Sequence, residues 1–228
     1  MAELCYDETN NCVFDYDGQL IDYYRHQIHT ASIHKLTVFH LVGQHVQAKK
    51  RYPRTDPRFN HFTADSLSWR NDSWLTQRKR EEIAHYDNAT LYNDYVLQQI
   101  ASLYPNEPMV IVYLSDHGEE VYDYRNSIGR FNGHDLKNIL DYQNCVPLMV
   151  WCNDCYISQH PNIIETLSQA KDRPLMTDNI CQLLFHLAGL TNQPYYKSQS
   201  DVLSPEYQCG PRILNDKYDY DKIKENDK

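Results

Sequence analysis

Met109-Val110-Ile111-Val112-Tyr113-Leu114-Ser115-Asp116-His117-Gly118 is a continuous apolar run closed by an acid, a histidine and a glycine. Its first part shows no polar alternation, which predicts a strand buried on both faces, as in a parallel sheet with helices outside. Immediately upstream, Ala89, Tyr92, Val96, Ile100 and Leu103 recur at three- and four-residue steps, so residues 84–104 read as an amphipathic helix that Pro105 ends. A helix feeding a buried strand is the repeating unit of an α/β sheet. Two further apolar runs, at 35–42 and 146–152, read as strands. Helices are expected over 15–30, with Leu20, Tyr23, Tyr24 and Ile28 on one side, and over 177–190. The alternation predicts an α/β fold, mainly a parallel sheet flanked by helices.

Residues 49–62 carry Pro53 and Pro57 and read as a surface loop. Beyond about residue 191 the composition turns polar and tyrosine-rich. Residues 1–204 are therefore assigned to one domain and 205–228 to a polar, flexible tail.

The 228 residues hold 31 acidic and 22 basic side chains, a net charge of -9. That balance argues against nucleic acid as a partner, because phosphate backbones are gripped mainly by Lys and Arg. It does not exclude one small phosphorylated substrate held by a metal, which supplies positive charge locally. No apolar run approaches the roughly 20 residues that span a bilayer. Residues 1–19 lack the basic start and apolar stretch of a signal peptide, and the expectation is a segment of a longer exported protein. Seven cysteines, Cys5, Cys12, Cys145, Cys152, Cys155, Cys181 and Cys209, favour an oxidising compartment. The Cys152–Cys155 pair could be redox-active or bind zinc, but no second such pair accompanies it, and a structural disulfide or plain thiols is the favoured reading.

The chemistry gathers at strand ends. In an open α/β sheet, ligands collect beyond the carboxyl ends of the strands. His45 follows the first strand, Asp116 and His117 end the second, and His134 lies on the loop after it. A single histidine is more often a surface or satisfied core residue. An adjacent acid and imidazole at the end of a buried strand is different, since a purely structural role there is costly. One carboxylate and several imidazoles suit zinc.

Residues 112–120, Val-Tyr-Leu-Ser-Asp-His-Gly-Glu-Glu, resemble the S-D-H-G-E motif of the phosphoethanolamine transferases, members of the alkaline-phosphatase and sulfatase superfamily. Residues 40–53 are similar to that family's H-x-x-G-S-H-G-P-x-Y-x-x-R-Y-P. The likeness continues through His85-Tyr86-Asp87-Asn88, Asn93-Asp94-Tyr95, Val146-Pro147 and Asp178-Asn179, covering residues 12–204. The resemblance implies Asp116 and His117 as zinc ligands, and His45 and His134 as groups at the transferred phosphoryl or at a second zinc. It implies a phospholipid donor and a lipid A or glycan acceptor, with Arg51, Tyr52 and other tyrosines shaping the acceptor cleft. It also implies a location at the periplasmic side of the bacterial inner membrane, through an N-terminal membrane segment. A disulfide near Cys5 and Cys12 is implied as well.

The departures carry expectations of their own. Gln44-His45-Val46-Gln47 stands where the family has S-H-G-P, and Phe131-Asn132-Gly133-His134 where it has Y-L-H-G. The family's upstream acidic zinc ligand and phosphorylated threonine have no counterpart; neither Thr30 nor Thr37 stands at a strand-to-helix turn beside a supporting acid. The expectation is the C-terminal part of a catalytic domain, inactive alone. A sulfatase-like hydrolase or phosphoglycerol transferase, and a non-catalytic module binding a head group, glycan or protein partner, remain the alternatives.

Overall fold

The computed structural model describes residues 14–27, 34–130 and 141–226, together with the backbone of residues 2–3. The chain divides into two compact units, Met1–Pro105 with Glu119–Arg130, and Asn106–Gly118 with Phe131–Lys228.

The first unit is organised around one long helix. β1 (Ala2–Glu3) pairs in parallel with β2 (Leu36–Thr37); α1 (Asp17–Arg25) lies between them in sequence and α2 (Gln77–Ala101) follows. The Thr76 side chain caps α2 by accepting from the Lys79 amide, and no glycine or proline interrupts the helix. It begins earlier than its apolar spacing shows, because residues 77–82 are charged or polar and carry no periodic signal. Its buried face, including Ile83, Ala89, Tyr92 and Val96, receives α1. The Gly18 amide donates to the Tyr92 hydroxyl at 3.1 Å, and a Cβ on Gly18 would strike that oxygen. α1 is shorter than the 15–30 stretch expected, and Ile28 lies outside the described residues.

The strand expected over 35–42 reduces to the two residues of β2. Leu36 and Val38 are exposed, and beyond Thr37 no partner strand satisfies the backbone among the described residues. β4 (Glu120–Val121) and β5 (Ile128–Gly129) form a short antiparallel pair, and Val121 packs with Leu67, Leu75 and Ile83.

The proline-bearing loop over 49–62 is fastened to α2 by one side chain. Asn88 Oδ1 accepts from the His61 and Phe62 amides at 2.9 and 2.8 Å, while Nδ2 donates to the Phe62 carbonyl at 2.9 Å and the Tyr52 hydroxyl at 3.3 Å. Asn88→Ala strips buried donors and acceptors of their partner. It is expected to lower unfolding free energy by about 2 kcal/mol, read as a reduced urea midpoint.

In the second unit, β3 (Val110–Leu114) and β6 (Leu148–Cys152) form an antiparallel ladder from Val110–Cys152 to Leu114–Leu148. The mixed α/β class holds, but parallel pairing among the described strands is confined to β1 and β2. α3 (Asp141–Asn144) lies on the connection from β3 to β6, which makes the return without a crossover helix among the described residues. Val110, Val112, Val150 and Cys152 pack on Tyr156, Ile163, Leu183 and Leu203. These come from α4 (Asp154–Gln159), α5 (Ile163–Ala170), α6 (Ile180–Leu187) and the chain beyond. The burial on both faces expected for β3 is not observed, since all five of its residues are only half-buried, and on β6 Met149 and Trp151 are exposed. Asn153 locks the ladder's end, accepting from the Met109 and Tyr156 amides at 3.0 and 2.9 Å and donating to the Glu107 carbonyl at 2.7 Å.

Where a flexible tail was expected, the chain builds a hairpin, β7 (Ile213–Leu214) with β8 (Tyr218–Asp219), and then α7 (Tyr220–Asn226). Asn215 and Asp216 turn the hairpin at φ of 53° and 54°, a conformation these two residue types tolerate. Tyr220 is buried and donates to Asp141 Oδ1 at 2.7 Å, and Lys224 pairs with the same carboxylate. An apolar count misses this anchoring, because tyrosine buries its ring while its hydroxyl finds a polar partner.

Candidate metal and phosphoryl site

β3 delivers Asp116 and His117 on a turn whose hydrogen bonds are local. The Ser115 hydroxyl donates to the His117 carbonyl at 2.6 Å, and the His117 amide donates to Asp116 Oδ1 at 3.0 Å. His117 Nδ1 lies 2.9 Å from the Gly118 carbonyl. A carbonyl only accepts, so in the neutral imidazole Nδ1 carries the proton and Nε2 keeps its lone pair. That nitrogen is 3.7 Å from Asp116 Oδ2.

This arrangement fits a zinc ion. A histidine that ligates through one nitrogen commonly donates its other N–H to a carbonyl or carboxylate. Donors held at about 2 Å from a single ion can stand up to roughly 4 Å apart. The Asp116 side chain is 85% exposed and that of His117 30%, so both are reachable. Among the described residues no three His, Cys, Asp or Glu side chains gather as a metal site, so this turn contributes two donors.

Gly118 explains why the motif continues with glycine. Its amide donates to the Gln143 carbonyl at 3.0 Å, and a Cβ there would run into the Tyr142 carbonyl of α3. The turn and α3 meet backbone to backbone.

His45 is exposed, on a loop braced from both sides. Asp17, buried at the start of α1, accepts from the Val42 amide through Oδ1 at 3.0 Å and from the Gly43 amide through Oδ2 at 2.8 Å. Gly43 has φ of +55°, which glycine adopts without strain. After the histidine, Arg51 holds the His45 and Val46 carbonyls at 3.3 and 3.1 Å. The backbone is thus held while the imidazole stays free to meet a ligand.

Two expectations for the neighbouring residues change. Arg51 acts here as a brace for the His45 loop. Tyr52 is fully buried, hydrogen-bonded to His85 Nδ1 at 2.8 Å, so it lines no open acceptor cleft. Burial lowers the His85 pKa. His134 lies outside the described residues, as do Cys5 and Cys12; His45 belongs to the first unit, and Asp116 and His117 to the second. Cys145, Cys152, Cys155, Cys181 and Cys209 are free thiols, and burial pushes the Cys152 thiol up, away from the thiolate that zinc would need.

Asp17 escaped the sequence reading, because an acid in the first turn of a helix ordinarily signals nothing beyond the helix dipole. Glu120 also did. It is fully buried, its Oε2 accepts from Arg125 Nε at 3.1 Å, and its Oε1 has no partner among the described residues. Asp87, within the 85–88 likeness, sits half-buried on α2; burial first, and then the Asp123 charge, raise its pKa above the usual 3.8. The folded chain therefore holds this proton more tightly than the unfolded chain does. The group's contribution to stability is full below about pH 3.8 and is lost as pH rises through the folded value. Asp87→Asn is accordingly expected to be more stable than the parent at neutral pH, with the difference vanishing in acid, as thermal melts across that range would show.

The described chain is mixed helix and sheet, with an acid–histidine turn at the end of a strand. The Sulfatase family description matches residues 2–190, and the chain belongs to that family. Phosphoethanolamine transferase EptC of Escherichia coli K12 is 28% identical over 217 residues, covering 92% of this chain and 36% of that protein. The Kdo(2)-lipid A phosphoethanolamine 7''-transferase of the same strain is 27% identical over 136 residues, 60% of this chain and 22% of that protein. The crystal structure of the C-terminal periplasmic domain of Escherichia coli EptC in complex with Zn superposes with a TM-score of 0.70. It is 27% identical and covers 86% of this chain and 52% of that one. The chain thus spans about a third of the length of the EptC protein it matches.

Proposed function

We propose that this chain is the C-terminal part of the catalytic domain of a zinc-dependent phosphoethanolamine transferase. The complete protein would move phosphoethanolamine from a phospholipid to lipid A or a glycan at the periplasmic face of the bacterial inner membrane. The observation that carries the reading is the Asp116–His117 turn, where the Gly118 carbonyl engages Nδ1 and Nε2 lies 3.7 Å from a carboxylate oxygen. The relatives named above, transferases by name, support the choice within the family. None of the described helices is long and apolar enough to cross a membrane.

Asp116 and His117 would hold the zinc, which when bound supplies Lewis-acid polarisation of a phosphoryl oxygen. His45, on its braced loop, would donate a hydrogen bond to the transferred phosphoryl group as charge builds there, with His134 as its partner in that role. The nucleophile would come from the part of the relatives' length that this chain does not span. The chain alone is therefore expected to bind zinc without transferring phosphoethanolamine.

Metal analysis and zinc calorimetry on the purified chain, Asp116→Ala and His117→Ala test this. Each variant is expected to lose tenfold or more in zinc affinity, with melting temperature little changed. Equal zinc binding by all three proteins would sink the assignment.

A further inference from the structure

A cleft of about 800 Å³ is lined wholly by residues of the first unit, and its charge is opposite to that of the chain as a whole. Lys49, Lys50, Arg78 and Lys79 line it, against the single carboxylate of Glu82. Among the described residues Lys49, Lys50 and Arg78 make no ion pair or side-chain hydrogen bond, although the chain carries 31 acids that could have neutralised them. Four cations left facing one space repel one another unless an anion enters.

The walls are built at a conformational cost. Gln47 and Tyr122, both lining the cleft, have φ of 63° and 58°, in the left-handed region that non-glycine residues avoid. Tyr122 is held there from two sides: its amide donates to the Ser127 carbonyl at 2.8 Å, and Arg70 donates to the Tyr122 carbonyl at 2.8 Å. Backbone kept in such a state by its surroundings is a frequent mark of a binding site. The constraint sets the Tyr122 ring 5.5 Å from Lys79 Nζ, while that ammonium is fixed by the Trp74 carbonyl and Asn126. The first turn of α2 contains no acid and places Arg78 and Lys79 at the positive end of the helix, where cations are disfavoured without a counter-charge.

We infer that this cleft is a subsite for a phosphate-bearing anion, with Lys49, Lys50 and Arg78 as its free cations and Lys79 and Tyr122 as its fixed wall. On the transferase reading it would seat a phosphate group of the acceptor, although anion binding itself does not depend on that reading.

Titration calorimetry with sodium pyrophosphate tests the subsite, comparing the chain with the triple variant K49Q/K50Q/R78Q and with Asp116→Ala. The three cations are exposed, so an unchanged melting temperature is expected to show that the triple variant folds. Pyrophosphate is expected to bind the parent and Asp116→Ala alike, to weaken as salt is added, and to lose about tenfold or more in the triple variant. Cosedimentation with vesicles of phosphatidylglycerol in phosphatidylcholine separates the sources. Capture lost in the triple variant identifies a lipid headgroup, and pyrophosphate binding without capture identifies a soluble phosphate ester. No binding of either probe, or equal binding by parent and triple variant, overturns the subsite. Loss in Asp116→Ala alone would place the anion at the acid–histidine turn instead and also overturn it.

Discussion

Gly118→Ala is expected to cost the protein its zinc affinity and about 3 kcal/mol of stability, although the substitution adds only a methyl group. The methyl has nowhere to go. Its neighbours are the Tyr142 carbonyl and the backbone around Gln143, neither of which can rotate aside as a side-chain tip would. Either α3 or the turn must move, and the 3.0 Å bond from the Gly118 amide to the Gln143 carbonyl breaks with it. His117 Nδ1 is oriented by the carbonyl of this same glycine, so a displaced turn also frees the imidazole that is proposed to ligate. Zinc calorimetry and urea denaturation on the same sample are expected to show both losses together. A variant as stable as the parent that binds zinc equally would show that the close approach to α3 is not what holds the turn.

Asp17→Asn is expected to destabilise the first unit by about 3 kcal/mol, nearly as much as Asp17→Ala, despite its near-identical shape. The carboxylate uses both oxygens as acceptors, one for each of the Val42 and Gly43 amides. An amide side chain offers one oxygen and turns an N–H toward the other donor, leaving a partly buried pair of donors face to face. Since that bond pair fixes the chain two residues ahead of His45, on the proposed transferase reading the activity of the complete protein is expected to fall along with stability. His45→Ala should lower activity with little effect on the melt. A fully stable Asp17→Asn would mean that one of the two bonds contributes nothing.

The helices were legible where apolar residues recur at helical spacing; for α2 the reading missed the charged first turns and ran three residues past the end at Ala101. Strands fared less well. Residues 36–42 and 148–152 share an apolar composition, yet the first supplies two paired residues and the second a five-residue ladder. Composition reports a tendency to be buried, while pairing depends on what lies alongside. The antiparallel ladder was hidden for the same reason, since an apolar run carries no record of its partner's direction. The C-terminal hairpin and helix were missed because tyrosines and ion pairs, not an aliphatic face, hold them.

The local order of residues was enough to locate the acid–histidine pair, since the end of an apolar run marks where a strand delivers its ligands. It was also enough to establish the net charge of -9, which argues against nucleic acid as a partner. Only tertiary structure decided why Gly118 has to be glycine, that Asp17 braces the loop of His45, and that four cations from two separate segments face one cleft. Each of these is a contact between residues distant in the chain, and no pattern within a short window encodes it.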